Sequence, residues 1–283
     1  MILRLAIFLL MMTARTGYCW DKNIKIKTVA GERCVFLQKE DFERIINAGL
    51  IDYIPSYEVE KTPDGLQIFI NCTVQGARKM YFISLQTGLI TQTVVPPGDD
   101  VHLGSGDSYV AWDWTRGSKY GFTFSNGEDW DNWHDPYRMI VFDPSGRYFS
   151  NQSASGVDIY STSEPNGKSL LCISEVTLDN LFVRGGVLYA FVHPSSDSAQ
   201  RWNFRLLMIS IEDWKIVKTI TLTDPTLDEV FDLNAKGDKV LCGLTVVKWP
   251  SMAHFNILDL NTLKITAVPM FYPDAKDAFF LPK

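Results

Sequence analysis

Short runs of alternating apolar and polar residues, each closed by a turn, recur along this chain, and that recurrence limits its fold more than any other feature. The clearest unit is Asp238 to Val268. It reads as KVLCGLTVV from Lys239, a loop holding Trp249 and His254, HFNILDL, a tight Asn261-Thr262 turn, and KITAV. A first copy begins at Thr62 with PDGLQIFINC, a loop at Thr73 to Lys79, MYFISLQTG and LITQTVV. A second opens at Gly106-Asp107 with SYVAWDW, has a very long loop, and resumes with RMIVFDPSG and RYFSNQ. The third is degraded: VDIYSTS, Pro165-Asn166-Gly167 and KSLLCISEV. A fourth runs NLFVRGG, VLYAFVHP, a polar loop, RLLMISIEDW and KIVKTITL, and VFDLNAKG precedes the fifth. The tail adds one strand-like piece, DAFFLPK.

In four units the third strand is expected to end in a comparable turn: SLQTG, FDPSG, SIEDW and DLNTL. One convincing helix is expected, Phe42 to Ala48. Asp41 caps it, Phe42, Ile45 and Ile46 form its apolar stripe, and Gly49 stops it. Otherwise the chain reads as all-β. Four-strand units at roughly 40 to 55 residues are the spacing of radial repeats, so the expected architecture is a β-propeller. Five or six blades fit, because both ends hold strands that can complete a further blade by joining each other. Packed β-sandwiches are the alternative.

The units also resemble TolB- or YVTN-like (WD40-like) propeller repeats. In those, a Pro-Asp-Gly turn precedes the second strand and an Asp-Leu-x-Thr-Gly turn follows the third. Pro63-Asp64-Gly65 and Leu85-Gln86-Thr87-Gly88 match this pattern, and Asp259-Leu260-Asn261-Thr262 matches in part. The resemblance covers most of the chain from Thr62 onward. It implies a shape and carries no activity with it.

Residues 1–19 read as a cleaved signal peptide. Arg4 gives a basic start, Leu5 to Met12 is apolar but too short to span a bilayer, and Ala14-Arg15-Thr16 or Gly17-Tyr18-Cys19 offers the cleavage site. Residues 20–56 are then an N-terminal cap with one helix, or an incomplete blade, and 57–283 the propeller. The mature protein is expected to be secreted or periplasmic, with no membrane span once the signal is gone. Residues 1–19 carry two arginines and no acid, so their loss moves the formal charge from −6 to −8. That acidity excludes nucleic acid as an expected partner, since its phosphates are held by clustered Lys and Arg. Cys34, Cys72, Cys172 and Cys242 remain. Three of them, Cys72, Cys172 and Cys242, fall at similar places in similar strands, so buried free thiols are expected rather than disulfides.

In a four-stranded blade, the loop after the second strand and the link to the next blade share one face. That rule places Trp130, Trp133 and His134 in the long second-unit loop, His193 and Trp202 in the equivalent loop of the fourth, and Trp249 and His254 in that of the fifth. His102 falls in the link between the first and second units. All four histidines are thus expected on one face, where imidazoles can bind a metal or move protons and indoles can stack on a ligand. The bland alternative is that these side chains flank strand ends and pack against neighbouring blades.

The loop from Thr115 to Tyr137 is the largest departure from the repeat. Within it GFTFSNG can form a hairpin strand, and Asp129, Asp131 and Asp135 lead an oxygen-rich set of the kind that holds calcium, though without EF-hand spacing. No Gly-x-Ser-x-Gly elbow and no Walker-type phosphate loop occurs. The expected function is an exported propeller binding a glycan or protein ligand on the face of the 115–137 loop. The alternative is a carbohydrate-active hydrolase or lyase using His and carboxylates there.

Overall fold

The computed structural model describes residues 25–38, 58–61, 67–74, 77–84, 90–93, 100–103, 109–113, 120–124, 129–132, 140–153, 155–164, 167–194, 204–222, 229–244, 254–268 and 275–281. These are strands and tight turns, with no helix among them. The helix expected at Phe42 to Ala48 lies outside them.

Five antiparallel four-stranded sheets follow one another along the chain. The first is β3 (Glu58–Lys61), β4 (Gln67–Val74), β5 (Ala77–Ser84) and β6 (Ile90–Thr93), and the second is β7 (Asp100–Leu103), β8 (Tyr109–Asp113), β9 (Tyr120–Phe124) and β10 (Asp129–Asn132). The third is β11 (Ile140–Phe142), β12 (Tyr148–Ser153), β13 (Gly156–Ser161) and β14 (Leu171–Ser174). The fourth is β15 (Val176–Arg184), β16 (Val187–Pro194), β17 (Phe204–Ser210) and β18 (Lys215–Leu222). The fifth is β19 (Glu229–Leu233), β20 (Lys239–Leu244), β21 (His254–Asp259) and β22 (Ile265–Ala267). A closing sheet joins the two ends of the described chain: the hairpin β1 (Lys25–Val29) and β2 (Glu32–Gln38) pairs through β2 with β23 (Ala275–Phe280). The first strands β11, β15 and β19 run beside one another in turn, and β23 follows β19.

The alternation that makes these strands legible serves both faces of each sheet. Along β16, Tyr189 and Phe191 face Val230, Leu233, Val240 and Leu258 of the fifth sheet. Leu188, Ala190 and Val192 face Val157, Ile159 and Ile173 of the third. Along β20 and β21 the odd-numbered Leu241, Phe255 and Ile257 meet Cys34, Phe36 and Phe280 of the closing sheet. Phe36 and Phe255 touch edge to face at 5.0 Å. The fourth and fifth sheets therefore each bury two apolar faces, and in the fourth the outermost strand is solvated. In β18, Lys215 to Thr219 are all exposed.

The second unit of the sequence reading needs correction. YGFTF and DWDN are the third and fourth strands of the second sheet, so two strands, β9 and β10, lie within the stretch read as a long loop. FDPSG does not close a third strand; it joins β11 to β12. The physical difference lies in the turn. The buried Asp143 carboxylate accepts N–H bonds from Ser145, Arg147 and Tyr148 at 2.8, 2.9 and 2.8 Å. Asn234 does the same between β19 and β20, its Oδ1 accepting from Asp238 and Lys239 at 3.0 and 3.1 Å. The same slip explains Cys172. It is exposed on the outermost strand β14, whereas Cys34 and Cys242 are buried.

The turns after β17 and β21 end instead in a left-handed residue. Trp214 has φ 54° and Leu263 φ 57° where the first unit carries Gly88. Bulky residues there are strained by about 1 kcal/mol or more. Trp214 offsets this by packing edge to face on Tyr148 at 5.2 Å, while Leu263 is 51% exposed. Leu263→Gly should therefore raise stability by about 0.5 kcal/mol or more, and Trp214→Gly should lower it, in urea titrations of the two variants.

The Asp259 carboxyl in that turn sits below its ordinary value. The Thr262 N–H is the main cause, followed by the Thr262 hydroxyl and the Asn261 N–H. A depressed folded-state value means that this turn contributes stability above the ordinary carboxylate range and loses it as pH falls through the folded value. Thr262→Ala should move the Asp259 midpoint up toward the ordinary carboxylate value in an NMR titration.

Candidate functional site

Polar side chains between sheets fall into two groups, and the first is structural. Gln152 of β12 donates to the carbonyl of Val176 at 2.9 Å and accepts from the N–H of Leu178 at 3.2 Å, tying the third sheet to β15. Asn180 of β15 donates to the Val230 carbonyl of β19 at 3.1 Å. The buried Asp232 carboxylate of β19 accepts from the N–H of Phe280 in β23 at 2.8 Å. Arg184 donates to the carbonyls of Val183, Leu233 and Asn234 and lies 3.7 Å from Asp232. Lys239 reaches back to Glu32 at 3.1 Å and to the Ala30 carbonyl at 2.7 Å. Each stitch joins one sheet to the next.

The second group stands at the opposite end of the fourth sheet from Arg184, where the link into β15 and the connection from β16 to β17 emerge. His193 Nδ1 lies 2.9 Å from Asp179 Oδ2, with the side chains 24% and 29% exposed. A β-bulge makes this pair. Leu178 is opposite Val192 and Asn180 opposite Phe191, so Asp179 is the extra residue of β15 and leaves the ladder to meet His193. The fifth sheet has the same bulge, with Phe231 in the place of Asp179 and Gly243 in that of His193. The fourth sheet thus carries a polar pair where its neighbour carries none. The ring of Phe204 stands edge-on to His193 at 6.2 Å and fixes the imidazole plane. A carboxylate on Nδ1 keeps the proton on that nitrogen in the neutral ring and leaves Nε2 as the available acceptor.

The other residues singled out in sequence separate. His254 is the first residue of β21, at the corresponding end of the fifth sheet. His102 is not in a link: it lies inside β7, opposite Val110 and one residue from the strand end nearer the β7–β8 turn. The alternating run VHL was long enough to form a strand of its own. Asp129, Trp130 and Asp131 all belong to β10, opposite Thr123, Phe122 and Gly121 in turn. Trp133, His134, Asp135, Trp202 and Trp249 lie outside the described residues. Among the described residues, no group of three or more His, Cys, Asp or Glu side chains could hold a metal. Desolvation and, after it, the nearby Asp158 carboxylate push the Cys172 thiol pKa up, which lowers its thiolate fraction.

Sequence reasoning missed Asp179 and Arg205. The signal for the first was Asp179-Asn180, two polar residues in a row that break the alternation of VTLDNLFV. Arg205 of β17 has its Nε shielded from solvent and without a hydrogen-bond partner.

TolB from Acinetobacter baumannii superposes on this chain with a TM-score of 0.56, at 15% identity, over 81% of this chain and 58% of TolB. This is a TolB-like β-propeller fold. The chain thus spans under two thirds of the length of that protein. A DUF4784 family protein from Bacteroides caccae aligns at a TM-score of 0.46 and 14% identity, over 81% of this chain and 66% of that one. An oligogalacturonate lyase in complex with manganese aligns at 0.44 and 10%, over 86% and 83%. No family model and no curated protein matches the sequence. Among the described residues no helix is long and apolar enough to cross a membrane.

If Asp179 holds the Nδ1 proton, the nitrogen-15 shifts of His193 at high pH should show one tautomer dominating. Asp179→Ala should return the ring to a mixture of both.

Proposed function

We propose that this chain is an exported propeller that binds a glycan or protein ligand on the face where second-to-third strand connections and inter-sheet links emerge. In this reading residues 1–19 are a signal peptide, the mature protein is secreted or periplasmic, and the sheet formed by both chain ends is a sixth blade that closes the ring. The observation that carries it is the His193–Asp179 pair: polar, open to solvent, built by a bulge, and placed on that face. Trp130, Trp133, Trp202 and Trp249 are the proposed stacking surfaces and His134 and His254 further contacts, with calcium at Asp129, Asp131 and Asp135 as a stabiliser of the same side.

The same pair favours a second reading. An imidazole with Nδ1 fixed by a carboxylate presents Nε2 as a general base, which fits a carbohydrate-active hydrolase or lyase.

A thermal-melt panel on residues 20–283, with soluble glycans, calcium and chelator, tests both. A ligand at a hundred times its Kd stabilises the folded state by about 2.7 kcal/mol, a rise of several degrees for a chain of this size. A glycan shift is expected to vanish in His193→Ala. A calcium shift is expected to vanish in Asp131→Ala. Turnover of a shifting glycan, lost in His193→Ala, would move the assignment to the enzyme. Glycan shifts that survive His193→Ala would remove the pair from the site.

A further inference from the structure

We propose that Lys215 and Lys218, together with the bulge at Val217, keep the long outer edge of the fourth sheet from pairing with the same edge of a second copy of this chain.

The last strand of a sheet presents a row of unpaired backbone N–H and C=O groups, a template for another extended chain. A stack of sheets carries one such edge per sheet on its outer side. In four sheets the last strand is short: β6, β10 and β14 have four residues each, and β22 has three. Their sequences, ITQT, DWDN, LCIS and ITA, contain no lysine. β18 has eight residues, and its sequence KIVKTITL carries two lysines. The outer strand of the closing sheet, β1, has five residues and also carries two, Lys25 and Lys27. Among the described residues, lysine thus stands on the edges that are too long to be protected by shortness.

β18 is also the edge most in need of protection. Lys215 to Thr219 are all exposed. Ile216 and Val217, at 46% and 60%, are two of the three exposed large apolar side chains among the described residues. β-branched residues at Ile216, Val217, Thr219, Ile220 and Thr221 give the strand a high propensity to extend and pair. The lysines oppose that with charge. Lys215 lies 3.0 Å from Asp213, but both side chains stand in water, which screens the pair. A second copy meeting β18 across a two-fold axis would lay its own Lys215 and Lys218 along these two, like charge against like charge. The register adds another barrier. Pairing with β17 steps from Met208–Lys218 to Ile209–Ile216, so Val217 is an extra residue that bends the edge a partner strand would have to follow.

Sedimentation velocity on residues 20–283 tests this, with amide hydrogen exchange to read which strand is covered. The wild type is expected to leave the β18 edge free. Lys215→Val with Lys218→Val should self-associate at a concentration at least about tenfold lower than the wild type does, and exchange in β18 should slow in the associated form. Lys168→Val with Lys236→Val adds comparable apolar surface at exposed positions between strands and should behave as the wild type. Lys215→Glu with Lys218→Glu keeps like charge on the edge and should do the same. Melts of dilute samples show whether each variant is folded. If the valine pair is not, Lys215→Thr with Lys218→Thr carries the same expectation. A folded edge variant that associates no more than the wild type would overturn the proposal. Association of the Lys168 and Lys236 variant to the same degree would overturn it too, because apolar area and not the edge would then be the cause. Association of the glutamate pair through β18 would remove like charge as the barrier and overturn it. A wild type already associated through β18 would overturn it by making the edge an interface.

Discussion

A sheet with neighbours on both sides has no polar face to give to water, and the rest of this structure follows from that constraint. In the fourth sheet, Phe191 and Val192 are adjacent in sequence, both fully buried, and directed into different interfaces. Polar residues inside such a stack survive only when a neighbouring strand completes their bonding. Asn180 and Asp232 hold equivalent places on β15 and β19, and each bonds the main chain of the next inner strand. One is an amide that donates and the other a carboxylate that accepts, so the position is kept while its chemistry switches to suit the strand it faces. The spacing of the sheets is thereby fixed by directional bonds as well as by packing.

Against that background, polar groups become informative according to whether their bonds are spent. Arg184, Asp232, Gln152 and Asn180 are absorbed by the scaffold. The His193–Asp179 pair instead joins two strands of one sheet. It stands at the end of that sheet where the connection from β16 to β17 emerges. A stack whose interior charges are bonded between its strands can hold its shape while groups at its ends change.

Much of the architecture was legible because period-2 alternation and turn chemistry are local properties. The units at Asn180–Leu222 and Val230–Val268 read correctly, since each has short connections on at least one side and an unmistakable turn at Ser210–Trp214 or Asp259–Leu263. The second unit failed because FDPSG and FDLNAKG were not recognised as the same kind of turn, one that joins first to second strands through an Asp or Asn side chain. Reading a first-to-second-strand turn as a third-to-fourth-strand one displaced the assignments from Tyr120 to Ser174, including the exposure of Cys172. The site was less legible for a deeper reason. Asp179 acquires its partner from a bulge, a register event that involves two strands, and Arg205 is anomalous only once Leu207 and Ile209 are known to face the third sheet. Neither fact exists in one strand read alone.

The closing sheet has a consequence for how the molecule is made. β2 and β23 pair although they lie about 240 residues apart in sequence, and β23 is also bonded to Asp232. During vectorial synthesis the hairpin β1–β2 emerges first and must wait, its edge unpaired, until the last strand arrives. Sheets between them can stack as they appear, but the edge of β2 stays a template for any other extended chain throughout.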